Sequence, residues 1–439
     1  MSVRDQNAPR WHCLCPVYHV ISMGHARYRS FLTGLSLVLT TASASGAKDR
    51  DWGAIRSSIE TALHVPQPLP DLREKSYGKF SPAPGVTAER VAYSTAYQLR
   101  VPAILYEPAG ATITRHPAIV IVNGHGGDKS SWYAYYAGIL YARAGALVLT
   151  YDPIGEYERN SERRSGSSQH DQILEPDDMA RRMGGLMVTD VMQAVAYLAS
   201  RKDVDDKRIA VLGYSMGSFI SSLACAVDTQ VHACVLVGGG DLDGPGGYWD
   251  RSRKMCQGGP YQALGFLGDR AAIIYALHAR RGPTLIWNGT ADEVVDIPHH
   301  EQDFFDDLKK RAAAELGSSK NLFQTGFTPD GGHRPYFLAK PVALWLEDKI
   351  KFPDWTEKEI RNMPETHISE WAAKNNVPGK GFKNEHGEGG LMALGNDIPS
   401  VARDQLHAIP DAVWDSERAD FTYESWVERA KTASQSNAP

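Results

Sequence analysis

Seven short apolar runs set the strongest constraint on this chain. They are VPAILY (101–106), PAIVIV (117–122), ALVLTY (146–151), RIAVLG (208–213), ACVLVG (233–238), PTLIWN (283–288) and NLFQTGF (321–327). Most are nearly continuous in Val, Ile and Leu rather than alternating, as expected of parallel strands covered on both faces. Helical patterns at 132–144, 187–200, 216–227, 299–316 and 337–349 lie between or after them. This alternation predicts a doubly wound, mostly parallel α/β sheet over 100–350, with loop insertions and a C-terminal extension.

Two connections are too long for turns. Residues 153–185 are polar and Gly-rich, and residues 239–270 mix Gly with Tyr, Trp and Phe. Both leave C-terminal strand ends, where open α/β sheets bind ligands, and loops of that length in a compact domain are usually functional. The Pro-rich stretch at 45–99 is expected to wrap the surface, and 351–439 to form an extension packed on the sheet domain.

The N-terminus reads as an address. Arg27 and Arg29 flank an apolar stretch from Phe31 to Leu39, and Ala42-Ser43-Ala44 supplies small residues for cleavage. That is the pattern of a secretory signal within residues 1–44, and it is too short for a spanning helix. Met23 is a plausible start. Export to the periplasm or the cell exterior follows as an expectation, and no membrane span is expected in the mature chain.

The formal net charge of −5 lacks the basic footprint of a nucleic-acid binder. Cys13 and Cys15 leave with the signal, so Cys225, Cys234 and Cys256 remain, an odd number. Cys225 and Cys234 sit in apolar surroundings and read as small core residues. No CxxC or Cys/His ligand spacing occurs, so neither a metal nor another cofactor is expected.

The chemistry centres on Gly213-Tyr214-Ser215-Met216-Gly217, which follows a strand-like run and opens a helical one. In that context GxSxG is a tight strand–turn–helix that lifts a serine hydroxyl above the sheet, beside a helix N-terminus. A serine needs a base. His333, in DGGHR just after the last strand-like run, can reach over the sheet top. The imidazole needs an orienting carboxylate. Asp292, directly after PTLIW, follows the order Ser…Asp…His, and Asp241 is the rival. An oxyanion needs backbone donors: the N–H of Met216, and that of His125 or Gly126 in the Gly-rich loop 123–129. His125 as a metal ligand lacks a partner nearby in the sequence.

The chain resembles the α/β-hydrolase superfamily over roughly 100–350, and within it secreted bacterial esterases of the acetylxylan esterase and dienelactone hydrolase type. NGHGGDKSSW, YDPIGEYER, GYSMG, NGTADEVVDI and GGHRPYF carry the likeness. PETHISEWAAKN and MALGNDIP resemble the C-terminal extension of such proteins. The resemblance implies a Ser215–His333–Asp292 triad and hydrolysis of a carboxylic ester through an acyl-enzyme. A small-molecule or glycan ester is then the partner, with a short, acetyl-type acyl group or a carbohydrate-linked one.

Other residues stay open at this point. Asp152 in YDPIG precedes the nucleophile and suits a structural role. Glu156, Arg159, Arg163 and Arg164 bind a polar substrate or form a solvated loop. Tyr248, Trp249 and Tyr261 stack on a sugar or an aromatic acyl group, or close the apolar face of a lid. A peptidase like the prolyl oligopeptidases shares the fold and triad order, but only about 50 residues stand between the signal and the sheet, too few for a β-propeller. A non-catalytic binding protein of this fold fits poorly with an intact Ser, Asp and His set.

Overall fold

The computed structural model describes residues 50–110, 115–166, 169–171, 178–244, 247–252, 255–377 and 390–436. The signal read at 1–44, with Cys13 and Cys15, lies outside them.

Nine strands form one sheet: β1 (Lys75–Ala83), β2 (Val86–Ser94), β3 (Arg100–Pro108), β4 (His116–Val122), β5 (Leu147–Tyr151), β6 (Val204–Tyr214), β7 (Ala233–Val237), β8 (Thr284–Gly289) and β9 (Gln324–Thr328). Their spatial order is β1-β2-β3-β5-β4-β6-β7-β8-β9. From β5 to β9 every pairing is parallel, while β1, β2 and β3 join antiparallel at one side. The order reverses around β4, the first parallel strand laid down. Chain growth then proceeds outward on either side, which is the doubly wound arrangement the apolar runs predict.

The seven predicted runs are β3 to β9. The first two strands differ from expectation: β1 and β2 extend the sheet where a surface wrap was read. β1 (KSYGKFSPA) is an exposed edge carrying Gly, Pro and two lysines, so nothing in it shows the apolar signature of a covered strand.

Both faces of the sheet are covered. One core packs the helices Trp52–Ala62, Asp178–Ser200, Met216–Val227, Arg270–Ala279 and Ile297–Leu316 on one side. The other packs Trp132–Arg143, Lys340–Ile350 and much of the C-terminal extension on the opposite side. Trp371 anchors that extension. Its ring sits 5.2 Å from Tyr136 and 6.0 Å from Trp132, and its indole N–H donates to the Ile398 carbonyl at 2.7 Å. The described residues past 350 thus include a set packed into this second core. Among the described residues no helix is long and apolar enough to cross a membrane.

Candidate active site

The turn after β6 dictates its own sequence. Ser215 has φ 57° and ψ −121°, a strained backbone for a residue with a Cβ. A Cβ on Gly213 would lie 2.3 Å from the Gly217 carbonyl oxygen, and one on Gly217 would lie 2.2 Å from that of Val122. Both glycines are therefore steric requirements of the turn. Met216 starts the helix Met216–Val227, so its N–H has no intrahelical acceptor.

Three side chains meet above the sheet. His333 Nε2 lies 2.8 Å from Ser215 Oγ. His333 Nδ1 lies 2.9 Å from Asp292 Oδ2 and 3.1 Å from Oδ1. Asp292 is fully buried and also accepts the Val294 N–H at 3.1 Å. The Tyr214 hydroxyl donates to the His333 carbonyl at 3.2 Å, and Arg334 donates to the same oxygen at 2.8 Å. A buried carboxylate on one imidazole nitrogen fixes the ring and leaves the other facing the serine.

The loop after β4 closes the site. A Cβ on Gly124 would come within 3.1 Å of Ser215 Cβ, so the bare backbone passes against the serine. The Gly124 N–H donates to Tyr133 Oη at 3.2 Å and the Gly127 N–H to the Gly124 carbonyl at 3.0 Å. The Asp128 and Lys129 amides donate to Ser131 Oγ at 2.9 Å and Asp152 Oδ1 at 3.2 Å.

A cleft of about 380 Å³ opens over Ser215, lined by His125, Tyr248, Trp249, Arg251, Ser252, Gln257, Val294 and Val295. A larger groove of about 990 Å³ shares none of these residues; Asp71, Arg73, Lys75 and Arg100 line it, with no serine–imidazole pair.

The rival acid is spoken for. Asp241 accepts the Trp249 indole N–H at 3.1 Å and pairs with His300 Nδ1 at 3.3 Å. It fixes the indole, which also stacks on Phe219 at 4.8 Å. Of the three aromatic candidates, Tyr248 and Trp249 wall the cleft. Tyr261 does not: it is fully buried, its hydroxyl donates to the Asp243 carbonyl at 2.6 Å, and Arg270 covers its ring. It belongs to the inner layer of the insertion.

The YDPIGEYER charges also differ from expectation. Glu156 and Arg159 are fully buried, so neither contacts substrate from a solvated loop. Arg159 donates to Asp190 Oδ2 at 2.5 Å, and Glu156 accepts the Gly166 N–H at 2.9 Å. Burial raises the Glu156 carboxyl to about 8. Arg163 pairs with Asp411 at 2.5 Å and Arg164 with Glu162 at 3.0 Å. Asp152 has the structural role its position suggested. Lys129 Nζ sits 2.5 Å from Asp152 and 2.6 Å from Glu158, with all three side chains fully buried. Burial opposes charge on Lys129, but the two carboxylates outweigh it and its pKa is raised. Glu158 also accepts the Ala408 and Ile409 N–H groups at 2.8 and 2.9 Å, which ties the extension to the site loops.

The acetyl xylan esterase family model matches residues 71–237, and the prolyl oligopeptidase family model matches 166–356. Dipeptidyl peptidase 4 of Sus scrofa is 26% identical over 180 residues, 40% of this chain and 21% of that protein. Putative hydrolase YtaP of Bacillus subtilis is 32% identical over 72 residues, 16% of this chain and 24% of that protein. The chain thus spans about a quarter or less of these curated relatives. Among solved structures, acetyl xylan esterase 1 from Thermoanaerobacterium aligns with TM-score 0.46 and 16% identity, over 69% of this chain and 94% of that one. Methylesterase BT1017 aligns with TM-score 0.47 and 22% identity, over 70% and 68%. Sheet order and the serine turn between β6 and its helix give this chain the α/β-hydrolase fold, and each of the two family models matches part of it.

Proposed function

We propose that this chain is a serine-type carboxylic ester hydrolase acting through an acyl-enzyme on Ser215. The observation that carries the reading is the unbroken line from Ser215 Oγ through the His333 ring to buried Asp292, at 2.8 and 2.9 Å. His333 takes the hydroxyl proton as Ser215 attacks the ester carbonyl. The N–H of Met216, with that of His125 or Gly126, receives the charge that grows on the carbonyl oxygen. His333 then protonates the leaving alcohol, and water activated by the same ring releases the acid. Asp292 orients the ring and offsets its positive charge. These steps draw on side chains, backbone amides and water.

The cleft volume of about 380 Å³ is at the small end for ligand sites, and it suits a short acyl group on a small or carbohydrate alcohol. The segment at 1–44 directs secretion in this account. Release of p-nitrophenol from the acetyl ester, fast relative to the octanoyl ester and abolished in Ser215→Ala, is the expected result. Equal rates in the variant would overturn it.

The prolyl oligopeptidase match over 166–356 supports a second reading, a serine peptidase using the same three residues. Cleavage of a proline-containing peptide with no ester turnover beyond that of Ser215→Ala would select it.

A further inference from the structure

Three loops converge beside the cleft and bring four metal-ligating side chains together. His125 comes from the loop after β4, His170 and Asp171 from the insertion after β5, and Cys256 from the insertion after β7. One ligand atom of each lies within 4.8 Å of all the others. Cys256 Sγ is 3.9 Å from His125 Nε2 and 3.8 Å from Asp171 Oδ1, and His170 Nε2 is 3.7 Å from the same oxygen. The two imidazoles stack at 4.9 Å, and His125 Nε2 hydrogen-bonds Asp171 Oδ1.

Tetrahedral zinc, with Zn–N and Zn–O near 2.0–2.2 Å and Zn–S near 2.3 Å, separates its ligand atoms by roughly 3.3–3.6 Å. Three of the distances above exceed that by a few tenths of an ångström. Of these four pairs the His125–Asp171 pair must open, exchanging its hydrogen bond for a shared ion, while the other separations, none above 4.8 Å, must close. His170 and Cys256 are fully buried, and His125 faces the cleft at 26% exposure. Glu156 Oε1 lies 3.6 Å from His170 Nδ1, on the ring edge away from the cluster, where an outer carboxylate orients a ligating histidine.

We propose that His125, His170, Asp171 and Cys256 form a site for a zinc-class divalent ion. One thiolate, two imidazoles and one carboxylate select zinc or cobalt over magnesium or calcium. Binding deprotonates the Cys256 thiol and releases that proton to solvent. With all four positions filled by protein the site is structural, and it staples both insertions to the loop that carries the His125 N–H. Sequence spacing hides it, because His125 and Cys256 stand 131 positions apart. The inference does not rest on the ester reading.

The test uses the tag-free mature chain, loaded with zinc sulfate and dialysed, with metal counted by mass spectrometry. The expected result is one zinc retained per chain, and binding at least about tenfold weaker in His170→Ala and in Cys256→Ser. Cobalt loading of the wild-type chain should give a thiolate-to-cobalt charge-transfer band, a readout that stands if a variant fails to fold. Zinc should also raise the melting temperature of the wild-type chain. No zinc retained by the wild-type chain, no thiolate band with cobalt, or equal retention in Cys256→Ser would overturn the proposal.

Discussion

Lys129→Met tests the buried charge cluster that holds the site loops together. The substitution keeps most of the side-chain volume and removes the single ammonium between Asp152 and Glu158, which approach it at 2.5 and 2.6 Å in a fully buried setting. Breaking a buried pair by deleting one partner costs about 3–5 kcal/mol, because the surviving charge is left without compensation. Here two carboxylates survive: Asp152 keeps the Lys129 and Glu158 N–H groups, both at 3.2 Å, and Glu158 keeps those of Ala408 and Ile409, but neither keeps a cation.

The loss should depend on pH. Burial raises the Asp152 carboxyl to about 7 despite the neighbouring ammonium. A carboxyl raised in the folded chain contributes stability below its ordinary range and loses it as pH climbs through the raised value. Without Lys129 that pKa climbs further, so the variant keeps losing about 1.4 kcal/mol per pH unit above neutrality, after the wild-type chain has levelled off. Urea unfolding at pH 5 and pH 8 reads this directly. The full penalty of about 3–5 kcal/mol is expected at pH 8, and one smaller by about 1–2 kcal/mol at pH 5. An equal loss at both values, or a loss under about 1 kcal/mol at pH 8, would refute the reasoning.

Four further outcomes follow from the geometry. Gly217→Ala forces a Cβ to 2.2 Å from the Val122 oxygen, so ester turnover should be lost together with a measurable drop in melting temperature. Asp292→Asn should lower kcat by roughly three to four orders of magnitude by freeing the imidazole to adopt the wrong tautomer. Asp241→Asn, whose carboxylate holds Trp249 rather than His333, should act mainly on KM; steady-state kinetics separate the two. Trp371→Ala should cost about 3–5 kcal/mol in urea unfolding, because the ring is buried among Trp132, Tyr135 and Tyr136.

What was legible in the sequence divides along physical lines. Strands β3 to β9 announce themselves because covering both faces demands near-continuous Val, Ile and Leu. The edge strand β1 faces water, so its lysines, glycine and proline read as loop. Ser215 is legible because the turn admits only glycine at 213 and 217, a steric demand written into the sequence. His333 and Asp292 are legible by their places after strand-like runs.

Arg159 was not legible. Its partner Asp190 lies 31 positions away on a helix, and a charged residue in a polar loop reads as solvated until that partner is seen. Tyr261 misled for the mirror reason: an aromatic residue in a functional loop reads as a binding surface, although this one faces inward on Phe219 and Arg270. The Asp241 ambiguity ends with its two contacts, which only the folded insertion brings together.

The central claim is that Ser215 is a nucleophile activated by His333. A fluorophosphonate probe, followed by peptide mapping of the mature chain, tests it most directly. The account predicts a single covalent adduct on the peptide carrying Ser215, absent in Ser215→Ala and strongly slowed in Asp292→Asn. No adduct, or an adduct on another residue with Ser215 untouched, would contradict it.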